Sequence, residues 1–98
     1  MRISKISDQD CPICAEMATF DAGLAAEFGW EFGVINYDFI REYPGVLEYV
    51  RRELVAPDGT VDIPIYAVEG DDGRIVGAVQ GANTKGELRR KFIQAAGA

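Results

Sequence analysis

Cys11 and Cys14 are the two cysteines of this chain of 98 residues, and they stand two residues apart in Cys11-Pro12-Ile13-Cys14. A disulfide across so short a loop removes little entropy from the unfolded chain, so stapling the fold is a weak reason for the pair. Thiol-disulfide exchange is a better one. Pro12 suits the first position of a helix, because its missing N–H would be unpaired there and its φ is already helical. Cys11 is then the N-cap, with its sulfur facing the free N–H groups at the positive end of the helix, which stabilises it as an anion. The thiolate is the nucleophile, so Cys11 is the candidate nucleophile. Cys14 lies one turn further in and more buried, and is the candidate resolving thiol. Cys11 attacks a substrate disulfide to form a mixed disulfide, and Cys14 then attacks the Cys11 sulfur and releases the reduced substrate.

The residues around the pair are candidates for tuning it. Pro12 and Ile13 lie between the cysteines, and Asp8 and Asp10 precede them. Carboxylates directed at Cys11 would oppose the helix dipole and raise the pKa of the thiol. The expected thiolate pKa is therefore nearer about 7 than ~3.5, with a potential below about -200 mV.

Composition narrows the alternatives. The chain has no histidine, so no Ser/His/Asp or Cys/His relay and no imidazole zinc site can be built from it. Two cysteines cannot complete a four-thiolate site within one chain. They could supply half of a site finished by a second subunit or by Asp8, Asp10 or Glu16, but a pair heading a helix with proline inside fits this poorly, and no metal is expected. A net charge of -6 disfavours nucleic acid. The one basic cluster, Arg89, Arg90 and Lys91, is read as complementing the dipole near the end of a last helix. No apolar run approaches the ~20 residues that span a bilayer, and 1–10 lacks the apolar stretch of a signal peptide. The expectation is a single domain over 1–98 in a reducing cytoplasm, where a Cys-x-x-Cys pair is catalytic or metal-binding.

The elements that must position the pair follow from periodicity. Residues 1–6 read as a first strand. Met17, Phe20, Leu24 and Phe28 recur at helical spacing, with Gly29 as a C-terminal cap. Residues 32–39 read as a buried central strand. Pro44 opens a second helix whose buried side is Val46, Leu47, Val50 and Leu54. Residues 63–69 and 74–80 form a hairpin about the turn at 70–73. Thr84 and Glu87 have capping-box spacing at the head of a last helix over 85–96. The order β-α-β-α-β-β-α predicts an α/β fold with a mixed four-stranded sheet and helices on both faces.

On these residues the chain resembles the thioredoxin and glutaredoxin proteins. Besides the dithiol at a helix start, Asp62-Ile63-Pro64-Ile65 is similar to the segment in which an apolar residue precedes a cis proline. The resemblance implies that Pro64 is cis beside the dithiol, and that Ile63 offers its backbone to an extended substrate by strand addition. It also implies that Gly81 and Ala82 flank the dithiol as part of a docking surface. There are departures. Pro-Ile replaces the Gly-Pro of thioredoxins, and Lys5 stands where they have a buried Asp that accepts a proton. Proton transfer at Cys14 must then use water, Asp8 or Lys5 itself. The Pro-first dipeptide and the short N-terminus are similar to glutaredoxins. However, Asp62, Ala82 and Asn83 replace the residues that glutaredoxins use to hold glutathione, and an acidic group there opposes that anion.

The leading expectation is a cytoplasmic thioredoxin-like protein-disulfide reductase, monomeric, needing no cofactor beyond its redox-active disulfide. Its partners are protein disulfides and an electron donor, which is a reductase or glutathione. Two alternatives stay open: a glutathione-dependent glutaredoxin-type enzyme, and a non-catalytic docking module using Trp30, Phe39 or Tyr43.

Overall fold

The computed structural model describes residues 1–97, and its sheet is organised by side-chain alternation in the first strand. In β1 (Arg2–Ser7), Ile3 and Lys5 point to one face and Ser4 and Ile6 to the other, and all four are buried. Burial on both faces requires a central position. β1 pairs in parallel with β2 (Glu31–Asn36) and antiparallel with β3 (Ile65–Glu69), and β3 pairs antiparallel with β4 (Ile75–Gln80). The strand order is β2-β1-β3-β4.

Each face carries its own apolar cluster. On one, Ile3, Tyr66, Val68 and Val79 meet Met17, Leu24, Leu88 and Phe92 from helices. On the other, Ile6, Ile35 and Ile65 meet Ile40, Val46 and Val50. The expected order of elements and the helices on both faces are present, and several details differ.

The first helix is broken. α1 (Pro12–Met17) and α2 (Asp21–Glu27) replace a continuous run to Phe28. The Thr19 hydroxyl donates to the Glu16 carbonyl at 2.8 Å, and the Asp21 carboxylate accepts from the Ala22 N–H at 2.6 Å. These are side-chain bonds that compete with a helical ladder and favour a fresh start. α2 then ends where expected, with Gly29 at φ 72° closing it.

β2 is an edge strand, not the central one expected. Its apolar run is less buried than it reads, with Val34 62% exposed. It also stops at Asn36, whose side chain accepts from the Asp38 N–H at 2.9 Å and starts a 3-10 helix over Tyr37–Glu42. The second helix, α3 (Pro44–Tyr49), widens into a π turn over Val50–Leu54, and keeps Val46 and Val50 in the core. β3 begins at Ile65, two residues later than expected, because Pro64 has no N–H to give a ladder.

α4 (Lys85–Ala95) starts with the full capping box: the Glu87 N–H donates to Thr84 Oγ1, and the Thr84 N–H to Glu87 Oε1. That backbone bond holds the Glu87 carboxyl below its ordinary value. The basic cluster is not at the helix end. Arg89 forms a two-point pair with Glu27 at 3.1 Å, and Lys91 donates to Asn83 Oδ1 at 2.6 Å, so both tie α4 to neighbouring segments and leave the dipole aside. Gly77 lets α4 lie directly on β4, since a Cβ there would overlap the Ala95 carbonyl.

Candidate active site

The turn at 8–11 delivers the dithiol from the C-terminal end of β1. The Cys11 N–H donates to the Asp8 carbonyl at 3.2 Å, and the Asp8 carboxylate accepts from the Asp10 N–H at 3.3 Å. Asp8 is thus engaged within its own loop, and Asp10 is exposed. Cys11 is the N-cap of α1 with Pro12 at its first position, and its Sγ accepts from the Cys14 N–H at 3.1 Å. The two cysteines are joined as a disulfide, with Cα atoms 5.2 Å apart. Cys11 is partly exposed and Cys14 only 2% exposed, so an incoming disulfide can reach one sulfur and not the other. Ile13, between them, is exposed.

Strand register brings the remaining candidates to the same end of the sheet. Ile6 pairs with Ile65, and Ile65 with Gln80, so Ile63-Pro64 and Gly81-Ala82 both lie at the C-terminal end of β1. The Ile63–Pro64 peptide is cis, Pro64 is fully buried, and the Gly81 N–H donates to the Pro64 carbonyl at 2.9 Å. Gly81 adopts φ 76°, a left-handed turn that glycine accommodates without strain, with Asp62 lying against it. A groove lined by Ile13, Met17, Phe20, Ala82 and Thr84 runs beside the dithiol, between α1 and the segment leading into α4. Of the aromatic side chains considered as docking anchors, Phe39 and Tyr43 are exposed, while Trp30 is half-buried against Phe28.

Lys5 lies beneath the second cysteine. Its ammonium is 3% exposed, donates to the Cys14 carbonyl at 2.9 Å, and pairs with the Asp21 carboxylate at 2.6 Å. Tyr66 faces Lys5 across the β1–β3 ladder, and its hydroxyl donates to the same Asp21 oxygen at 2.9 Å. The buried carboxylate of this neighbourhood therefore comes from the start of α2, and the strand position holds the cation.

No family model matches the chain, and no curated protein matches it. Solved structures do. Thioredoxin 1 from the thermophilic eubacterium Thermosipho africanus superposes with a TM-score of 0.60 at 17% identity, covering 100% of both chains. A thio-disulfide isomerase from Thermus thermophilus gives a TM-score of 0.59 at 20% identity, over 96% of this chain and 78% of that one. A thiol:disulfide interchange protein from Chlorobium tepidum gives 0.58 at 18%, with the same coverage. The chain has the thioredoxin fold.

A Cys-x-x-Cys pair capping a helix of the thioredoxin fold supports thiol-disulfide oxidoreductase chemistry in general. Among the described residues, no three His, Cys, Asp or Glu side chains converge as a metal site, and no helix is long and apolar enough to cross a membrane. Sequence reasoning missed Asp21 and Tyr66. The signal for Asp21 was present: it follows Met17 by four residues and precedes Leu24 by three, so it lies on the apolar stripe where a solvated carboxylate has no reason to be.

Burial, then the charge of Asp21, then the hydrogen bond to it raise the Tyr66 hydroxyl well above its ordinary value of 10.0. The folded protein thus keeps a proton that the unfolded chain loses. The stability this carries is fully present below about pH 10 and is lost as pH rises above it, by up to about 1.4 kcal/mol per pH unit for one proton. Denaturant unfolding of the oxidised protein between pH 9 and 12 is expected to show this slope in wild type and a shallower one in Tyr66→Phe. Equal slopes would remove Tyr66 as the cause.

Proposed function

We propose that this protein is a thiol-disulfide oxidoreductase that reduces disulfides in other proteins through Cys11 and Cys14. One observation carries the reading: the two sulfurs form a disulfide whose outer member is partly exposed and accepts a helix N–H, while the inner one is buried. In the reduced protein the Cys11 thiolate attacks one sulfur of a substrate disulfide. A Cys11–substrate bond forms, and the other substrate sulfur leaves and takes a proton from solvent. Cys14 loses its proton and attacks Cys11. The internal disulfide forms, the second substrate sulfur departs and is protonated, and the two electrons of the dithiol have passed to the substrate.

The surroundings favour an extended protein segment over glutathione. Ile63 offers backbone next to the cis Pro64, the Ile13–Ala82 groove is partly apolar, and Asp62, Asp8, Asp10 and Glu16 are carboxylates that repel an anionic tripeptide. A reducing cytoplasm is the compartment in which such a reductase works. The test is reduction of insulin as a model protein disulfide, with dithiothreitol or with glutathione as the sole source of electrons. Rapid precipitation of the insulin B chain with dithiothreitol and little acceleration with glutathione are expected. Failure to accelerate insulin reduction with dithiothreitol would overturn the reading, and equal rates with both donors would make it a glutathione-dependent enzyme.

A further inference from the structure

The buried ion pair beneath Cys14 has a direction. Asp21 is satisfied by three donors: Lys5 Nζ and the Tyr66 hydroxyl on Oδ2, and the Ala22 N–H on Oδ1. Its capacity is used in holding the ammonium. Lys5 Nζ has three protons, of which one goes to Asp21 and one to the Cys14 carbonyl, and the third has no partner among the described residues. The ammonium is bonded to the Cys14 carbonyl, while the bonds of the carboxylate go to Lys5, Tyr66 and the Ala22 N–H, so the pair turns its positive end toward Cys14. Tyr66 fixes the geometry from β3, with its ring 5.7 Å from Nζ.

Resting on the exchange reaction above, we propose that Lys5, held by Asp21 and Tyr66, is a positioning residue that presents a buried positive charge to Cys14 and stabilises the thiolate that makes the resolving attack. A buried thiol resists ionisation, because the anion loses its hydration. Cys14 must nevertheless become an anion in the second half of the reaction. A fixed cation in the same low-dielectric pocket, held against the backbone of that residue, counters the penalty. The other charged groups around the motif are Asp8 and Asp10 in the preceding loop, Glu16 on α1 and Asp62 before the cis proline, all carboxylates on the solvent side, so Lys5 is the cation that acts from within.

The test separates this from both the exchange reaction and a purely structural role. In a Cys11→Ser background Cys14 is the only thiol, and its titration can be followed by thiolate absorbance without any substrate. Replacing both members of the pair, Lys5→Met with Asp21→Leu, leaves no unpaired buried charge, and the variant is first checked for a cooperative unfolding transition. The Cys14 pKa is expected to rise by about one unit or more, and to return to near the parent value in Lys5→Arg, which keeps the charge. With both cysteines present, the reduced protein reacts with 5,5′-dithiobis(2-nitrobenzoate) in two phases. The first releases one thionitrobenzoate as Cys11 is capped, and the second releases another as Cys14 resolves the mixed disulfide. The second phase at pH 7 is expected to slow about tenfold in the double variant while the first is unchanged. An unchanged Cys14 pKa and second phase in a folded double variant would overturn the proposal, whether or not the wild type reduces insulin.

Discussion

Cys11→Ser is expected to abolish reduction of protein disulfides, with a loss of at least about a thousandfold, because no second exposed thiol exists to begin the exchange. Cys14→Ser also halts turnover, but differently. Cys11 keeps its place at the N-cap and its access to solvent, so it still attacks a substrate disulfide, and the mixed disulfide then persists for want of the internal thiol. Incubated with a model disulfide, Cys14→Ser is expected to accumulate one covalently attached substrate per chain, released by dithiothreitol and visible by mass. Cys11→Ser accumulates none, because Cys14 is 2% exposed. The reverse result, with adducts on Cys14 in Cys11→Ser, would exchange the roles of the two sulfurs. The Cys14→Ser protein also identifies physiological substrates, since each captured protein carries the disulfide that Cys11 attacked.

The placement of the two cysteines was legible in the sequence because it depends on local rules. Pro12 fixes where α1 starts, the start makes Cys11 the cap, and helical geometry puts Cys14 one turn inside. The loop before α4 was legible for a similar reason, since the Thr84–Glu87 box has a local signature; the cis Pro64 was implied by the resemblance, and β3 starts two residues after the beginning of its β-rich run. What could not be read was anything decided by packing between distant segments. Whether an apolar run such as 32–36 is central or at an edge depends on which strands flank it, and β3 took the inner place beside β1. The break between α1 and α2 is set by Asp21 turning inward, which is favourable only because Lys5 and Tyr66 wait on the sheet face below.

Two electrostatic influences on the dithiol therefore come from different sides. Asp8 and Asp10 belong to the solvent-facing loop before Cys11, where charges are screened, and Asp8 is occupied with the Asp10 N–H. Lys5 acts from the core on Cys14, where screening is weak. The sequence drew attention to the carboxylates because they are adjacent to the motif. The fold gives the greater leverage to a lysine that is nine residues from Cys14 in sequence and bonded to its carbonyl in space.

The same burial makes the ion pair a point of vulnerability. Asp21→Asn keeps the size of the side chain, but it has one oxygen where Asp21 uses two, so it removes the charge that balances Lys5 and sets an amide NH2 against either the Ala22 N–H or the Lys5 and Tyr66 donors. Breaking a buried pair from one side costs about 3–5 kcal/mol, because the remaining charge is left unpaired in a low-dielectric site. For a domain of this size total stability is about 5–15 kcal/mol, so this single change removes about a fifth of it at the least and nearly all of it at the low end. The expected fall in Tm of the oxidised protein is roughly 15–30 °C. Lys5→Met with Asp21→Leu removes both charges and is expected to recover more than half of that loss, the remainder being the buried Tyr66 hydroxyl left without an acceptor. The contrast between the single and double variants is what identifies the mechanism. If Asp21→Asn unfolded within 1 kcal/mol of wild type, the 2.6 Å contact would be an ordinary hydrogen bond, and the charge on Lys5 would be balanced by something other than Asp21.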